Sequence, residues 1–190
     1  MLVLALGLAI FIAVHLVPAS PMRARLAARL GDNGYRALHS ALALAGLVLI
    51  VTGFGLARAA GPSELYSPPF WLRHLALGLM LVASVLVVAG FVPCHIRKWV
   101  RHPLVSGVGV WAFAHLLANG DAASVLLFGS FFLWAGFSRI SLKRREAAGL
   151  VVVHGGPWRN DFLVVAVGLL VYAAILLRLH VWLIGVPAVL

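Results

Sequence analysis

Residues 75–92 read LALGLMLVASVLVVAGFV, a stretch without one ionisable side chain. A helix that crosses a bilayer needs roughly 20 mostly apolar residues, because hydrocarbon offers no partner to a free backbone N–H or C=O group. Extended outward to residues 71–92, this stretch is therefore predicted to span a membrane as an α-helix.

Other stretches of the chain have the same character. Hydrophobic residues make up 63% of the sequence and charged residues 11%, which is too little polar surface for a water-soluble domain. The predicted spans cover residues 1–17, 36–59, 71–92, 104–118, 122–139 and 161–183. The first and fourth are short for a membrane crossing. We expect an all-α polytopic membrane protein, a bundle of about six transmembrane helices that forms one domain over residues 1–190.

Basic side chains are divided unevenly between the predicted loops. If the spans alternate in direction, the loops after the first, third and fifth spans share one side of the membrane and carry most of the Lys and Arg residues. The other side keeps only Arg58, Arg73 and Arg178. The positive-inside rule makes the basic side cytoplasmic and puts both termini outside. No Lys or Arg precedes Arg23, which favours a retained N-terminal anchor over a cleaved signal peptide.

The net charge of +10 is explained by this topology. Nucleic-acid binding is not expected, because the cations are split among three short loops without an aromatic or helical recognition frame. Between Arg23 and Leu30, arginine and leucine side chains occupy opposite helical faces, which predicts a short surface helix on anionic lipid. Turns are predicted at residues 31–34 and 119–121, where Gly, Asn and Asp cluster.

The sequence lacks the common catalytic motifs. It contains no HExxH, no phosphate loop, no nucleophile elbow and no paired carboxylates. Its few acidic residues lie at helix ends or in loops, which argues against a carboxylate proton relay through the bilayer. The single Cys94 falls on the cytoplasmic side and predicts neither a disulfide nor a cysteine metal site.

Histidine is the ionisable residue that remains within the spans. His15, His39 and His115 lie within or just inside predicted spans, and the other histidines lie at interfaces or in loops. Neutral imidazole is an axial ligand of haem iron, and helical bundles commonly carry cofactor ligands on facing helices. Alternatively, each histidine forms a hydrogen bond to a neighbouring helix and has no further role. Spacing alone leaves both interpretations open.

Several motifs carry a resemblance to a known family. RHP stands at residues 101–103, WAFAHLLANGD at 111–121 and LLFG at 126–129, with VH at 14–15 and SLKR at 141–144. Together they resemble the NnrU family of bacterial membrane proteins, and the resemblance extends over essentially the whole chain. It implies a place in the bacterial inner membrane and a role linked to denitrification, in nitrite and nitric oxide reduction.

The NnrU family includes the plant and cyanobacterial 15-cis-ζ-carotene isomerase, a haem b protein. The two haem-ligating histidines of that isomerase correspond to His15 and His115, so the resemblance implies that these two residues bind the iron of haem b. Where the isomerase has a cysteine proposed as an alternative ligand, this chain has Ala112. Redox-linked ligand switching by that cysteine is therefore impossible here, although other isomerase-like redox chemistry stays open.

Other residues are candidates for supporting parts of a haem site. Arg58 and Arg73 are predicted on the outer side, where a guanidinium could pair with a haem propionate or reach lipid headgroups. His39 and His102 are the alternatives if either proposed ligand is replaced.

Two further function classes are considered. Arg101-His102-Pro103 with Gly107 is similar to the start of the S-adenosylmethionine site in membrane methyltransferases. Those enzymes continue with paired glutamates and a tyrosine-rich segment, whereas this chain has Glu146 followed by an apolar stretch without tyrosine. The third class is a non-enzymatic assembly subunit that partners a reductase. The sequence does not specify the substrate, the electron donor or the oligomeric state.

Overall fold

The computed structural model describes residues 1–188, which are mostly helical. Helix α1 (Leu2–Leu16) leads through a 3₁₀ turn (Val17–Ala19) to α2 (Met22–Ala59), and these are followed by α3 (Phe70–Ala89), α4 (His95–Val100), α5 (Pro103–Ala118) and α6 (Ala122–Ala147). Helix α7 (Trp158–Ala174) continues through a π-helical turn (Ile175–Leu179) into α8 (His180–Ile184). Within residues 1–188, β-type pairing is limited to an isolated bridge between Glu64 and Asp121.

The helices have the lengths that a membrane requires. In the described part of the chain, the segments long and apolar enough to cross a bilayer are Leu2–Ala19, Met22–Ala59, Phe70–Ala89, Ala122–Ala147 and Trp158–Ile184. Helix α5 is also apolar but has 16 residues, which corresponds to about 24 Å. The prediction of an all-α, polytopic membrane protein is confirmed, and α5 is the short fourth span of that prediction.

Local sequence signals fix several helix ends as predicted. Gly31, with φ 72° and ψ 164°, interrupts α2 and separates a short helix that carries Arg23, Arg25 and Arg29 from the membrane segment. Asp121 begins α6, since its Oδ1 accepts hydrogen bonds from the backbone N–H groups of Ala123 and Ser124 at 3.1 and 3.0 Å.

Helices α1 and α2 pack closely because glycines remove side chains from their interface. A Cβ atom on Gly7 would lie 2.6 Å from the backbone nitrogen of Ile50, and one on Gly46 would lie 2.9 Å from that of Phe11. Gly53 lies directly against the backbone of Leu4. Small residues at such contacts are typical of helix pairs in lipid, where close van der Waals packing replaces the hydrophobic effect.

Helix α6 joins two groups of helices. It contacts the α1–α2 pair on one side and α5 on the other, and α5 in turn packs against α3, which packs against α7. The main buried cluster lies between these helices. It contains Leu4 and Leu8 of α1, Leu127 and Phe128 of α6, and Ala112 of α5. The two helices that carry His15 and His115 thus meet across α6.

The short helix α4 was not predicted from the sequence. It is held at its beginning by α7, because Asp161 Oδ1 accepts a hydrogen bond of 2.9 Å from the Ile96 N–H group. The neighbouring Asn160 side chain donates a hydrogen bond of 2.6 Å to the Pro93 carbonyl. Helix α7 therefore fixes the connection between α3 and α5.

Candidate functional site

His15 lies near the end of α1 with one ring nitrogen already engaged. Its Nδ1 is 2.7 Å from the carbonyl oxygen of Phe11, one helical turn earlier. A carbonyl can only accept, so Nδ1 carries the hydrogen and Nε2 keeps its lone pair. This is the tautomer in which the side chain can bind a metal through Nε2.

His15 contacts His39 and Trp134, and His39 in turn contacts Tyr35; we call these four residues the His15 cluster. The ring centroids of His39 and Trp134 lie 5.4 and 5.9 Å from that of His15, and Tyr35 lies 6.0 Å from His39. Tyr35 Oη and Trp134 Nε1 are buried without a hydrogen-bond partner. Two unpaired donors beside a histidine pair are unusual in a folded protein, because a buried polar group without a partner costs free energy.

His115, near the end of α5, repeats the arrangement of His15. Its Nδ1 is 2.9 Å from the carbonyl oxygen of Trp111, so Nε2 is again the nitrogen with the lone pair. The ring stacks on Phe128 of α6 with centroids 4.4 Å apart, and Trp111 lies 5.2 Å away. Ala112, one turn before His115, is fully buried in the central cluster.

The two predicted ligands lie at different levels of the bundle. His115 contacts Phe128 and His15 contacts Trp134, and these α6 residues are six positions apart, or about 9 Å along the helix. Aromatic contacts connect the two levels. The ring centroid of Phe131 lies 5.7 Å from that of Phe11 and 5.5 Å from that of Trp111. The structure therefore brings His15 together with His39, and it links His15 to His115 through aromatic rings.

The loop between α2 and α3 fixes the end of α5 near His115, a contact that sequence reasoning missed. The single proton of the Tyr66 hydroxyl is shared between the carbonyl oxygens of Leu116 and Asn119, the latter 3.0 Å away. Burial, followed by the nearby Asp121 carboxylate, raises the pKa of Tyr66, so the hydroxyl stays protonated and can donate. Gly120 leaves no room for a side chain against the Tyr66 carbonyl.

The two arginines considered for propionates have different surroundings. Arg58 lies 5.8 Å from the ring of Phe54, which packs on Phe128 and so reaches the His115 side of the bundle. Arg73 lies 5.8 Å from Phe70 of its own helix. Both arginines are exposed. Of the two, only Arg58 has a contact path toward a predicted ligand.

His102 belongs to a separate polar group at the beginning of α5. Glu146 of α6 forms an ion pair with Arg101, and its Oε2 lies 3.3 Å from His102 Nε2. Burial lowers the pKa of His102 despite the opposing effect of Glu146, so the imidazole is neutral near pH 7. Glu146 follows Trp134 by twelve residues, about 18 Å along α6, which separates His102 from the His15 cluster.

Besides histidine, Cys94 and the acidic residues have the side-chain types that bind metal ions in proteins. The Cys94 side chain is fully buried, and burial raises the pKa of its thiol. Within residues 1–188, no three His, Cys, Asp or Glu side chains converge in a way that could hold a metal ion. A macrocycle that supplies four of its own iron ligands needs only one or two imidazoles from the protein.

Apolar helices, glycine-mediated packing and histidines at two levels define the class of this molecule, an all-α polytopic membrane protein with imidazoles inside its bundle. The sequence matches the family described as NnrU protein over residues 3–188. The chain therefore belongs to the NnrU family, as the motifs predicted. Comparison with curated proteins and with solved structures gave no match.

Proposed function

We propose that this protein binds haem b in the bacterial inner membrane, and that His15 and His115 are the residues that would hold it. The observation that carries the proposal is the hydrogen bond that both histidines share. Each donates Nδ1–H to the carbonyl group four residues earlier, at 2.7 and 2.9 Å. The bond fixes the tautomer and leaves Nε2 as the nitrogen that would bind iron.

The surroundings of both histidines suit a flat, largely apolar macrocycle with carboxylate arms. Phe11 and Phe128 stack on the imidazoles and offer aromatic walls. The unpaired Tyr35 Oη and Trp134 Nε1 are hydrogen-bond donors of the kind that a propionate carboxylate accepts. The donors present near His15 therefore fit haem better than an apolar ligand, which would leave them unsatisfied.

Whether His115 or His39 is the second ligand depends on the aromatic rings of Phe131 and Trp111, which lie between His15 and His115. His15 and His115 would hold the same haem only if their Nε2 atoms could approach each other much more closely than the intervening aromatic rings allow. Phe131 and Trp111 would have to move for this to happen. His39, with its ring centroid 5.4 Å from that of His15, is the alternative partner and would need less rearrangement.

The chemical role of the protein would depend on how its residues hold and surround the haem. Haem supplies one-electron and nitric oxide or oxygen chemistry when bound. The histidines would hold it, the aromatic rings would exclude water, and the hydrogen bonds at Nδ1 would keep each imidazole oriented with Nε2 toward the iron. We infer a redox role linked to nitrite and nitric oxide reduction, with isomerase-like redox chemistry or assembly of a reductase as the alternatives.

Four alanine variants test the ligand assignment. We expect His15→Ala and His115→Ala each to lose most of the bound haem or to become five-coordinate, whereas His74→Ala, next to Phe70 on α3, keeps the wild-type content. The haem-to-protein ratio from the pyridine haemochrome assay is the measurement. If His39→Ala loses haem and His115→Ala retains it, the second ligand is His39 and not His115. Wild-type haem content in all three ligand variants would contradict the proposal.

A further inference from the structure

A cavity of about 170 Å³ lies between the end of α3, the short helix α4, the beginning of α5 and the last turns of α6, and no residue of the His15 cluster lines it. It is lined by Gly90 after α3, Arg97 of α4, Leu142 of α6 and residues 101–105 at the beginning of α5. We call it the α5 cavity. The positive-inside rule places this end of the bundle at the cytoplasmic surface of the membrane.

Positive charge predominates around the α5 cavity. Arg97 and Arg101 line it, and Arg139 reaches the same turn, where its Nη1 donates to the Val100 carbonyl at 3.2 Å and to Ser106 Oγ. The opposing charge comes from Glu146, which pairs with Arg101.

Arg101 itself has φ 68°, a conformation that residues other than glycine rarely adopt. The turn that presents Arg101 to the cavity is thus held in a strained form.

The beginning of α5 adds two features that favour an anion. Helix α5 has 16 residues and no side-chain cap at its N-terminus, so its first N–H groups carry uncompensated partial positive charge. The His102 side chain, which lines the cavity, is 10% exposed, and its Nε2 atom is buried without a hydrogen bond. The nearby Glu146 Oε2, at 3.3 Å, lies outside hydrogen-bonding geometry. An imidazole nitrogen without a hydrogen-bond partner therefore lies at a positively charged helix end.

We propose that the α5 cavity binds a phosphate group, carried either by an anionic phospholipid headgroup or by a soluble phosphate. Guanidinium groups pair with phosphate oxygens in a bidentate manner, and helix N-termini bind the same oxyanions. Both contributions meet here with the largely buried His102 imidazole beside them. Neither His15 nor His115 lines the α5 cavity, so a failure of one proposal would leave the other unaffected.

Binding measurements on the full-length protein in detergent test this site. Native mass spectrometry would count adducts of dioleoylphosphatidylglycerol against dioleoylphosphatidylcholine, and calorimetry would measure inorganic phosphate. We expect Arg97→Gln to weaken binding about tenfold, as loss of one charge-assisted hydrogen bond predicts. Arg144→Gln is the matched control, since it removes the same charge from an exposed residue of α6 outside the cavity, and its effect should stay within about twofold.

The outcomes separate the phosphate sources and the competing explanations. Selective phosphatidylglycerol binding without affinity for inorganic phosphate assigns the lipid headgroup, and the reverse assigns a soluble phosphate. If Arg97→Gln is not monodisperse, His102→Gln takes its place with the same expected loss. No saturable binding of either probe, or equal weakening in Arg97→Gln and Arg144→Gln, would overturn the proposal. Binding of S-adenosylmethionine that His102→Gln abolishes would overturn it in favour of a methyltransferase-type site.

Discussion

At the scale of single residues, Gly53 determines how closely α1 can approach α2. A Cβ atom at this position would overlap the backbone of Leu4, which cannot move without shifting the whole of α1. We expect Gly53→Ala to destabilise the protein by about 1–3 kcal/mol, the usual cost of overpacking. Thermal unfolding in detergent is the measurement.

Gly55 provides the control for Gly53, because it lies in the same helix and a Cβ atom added there would meet nothing within 4 Å. Gly55→Ala should be neutral or slightly stabilising, since alanine favours a helix over glycine by about 1 kcal/mol. Equal melting temperatures for the two variants would show that α1 and α2 do not pack through Gly53.

Cys94 offers a second test at this scale. Its side chain is fully buried, and burial raises its pKa, so little of the reactive thiolate forms near pH 7. We expect maleimide to label the native protein slowly and the denatured protein fast. Rapid labelling of the native form would mean that α4 opens readily or is packed differently.

The sequence identified His15, His39 and His115 as the costly polar residues of the spans, but it did not give their contacts with other helices. Contacts of His15 with Trp134, or of His115 with Phe128, depend on the axial register of α6 against α1 and α5. That register is poorly encoded in a membrane protein, because lipid-facing and protein-facing side chains are both apolar. The unpaired Tyr35 and Trp134 donors could be found only from the structure.

At the scale of helices, Asp161 connects α7 to α4. Asp161→Ala removes the acceptor of the Ile96 N–H group and should cost about 1–3 kcal/mol, because that donor is left without a partner. Asp161→Asn keeps an accepting oxygen and should cost less. Chemical or thermal unfolding of both variants would measure the difference, and a larger loss for Asn than for Ala would contradict the capping role.

Helix ends were predictable wherever the chemistry is local. The break at Gly31, the Asp121 cap and the beginning of α5 at Pro103 each follow from one or two residues. Helix α4 was missed because its six residues show no apolar period, and its first turn is stabilised by Asp161, which is distant in sequence.

At the scale of the whole molecule, the charge asymmetry predicts that both termini lie outside the cytoplasm. An alkaline phosphatase reporter fused after Leu190 should be active, whereas a fusion after Arg145 should be inactive, because the last turns of α6 carry a basic cluster that includes Lys143, Arg144 and Arg145. Activity only in the Arg145 fusion would invert the topology and move the α5 cavity to the outer face.

Whether this NnrU-family bundle holds haem b through imidazole nitrogens can be read from a visible spectrum of the purified full-length protein. The protein would be produced with added haem precursor and measured in detergent before and after dithionite reduction. We expect the sharp reduced bands of low-spin, six-coordinate haem b, which His15→Ala removes or converts to a five-coordinate form. A monodisperse protein that carries no haem, or whose haem spectrum is unchanged when both His15 and His115 are replaced, would contradict haem binding by these histidines.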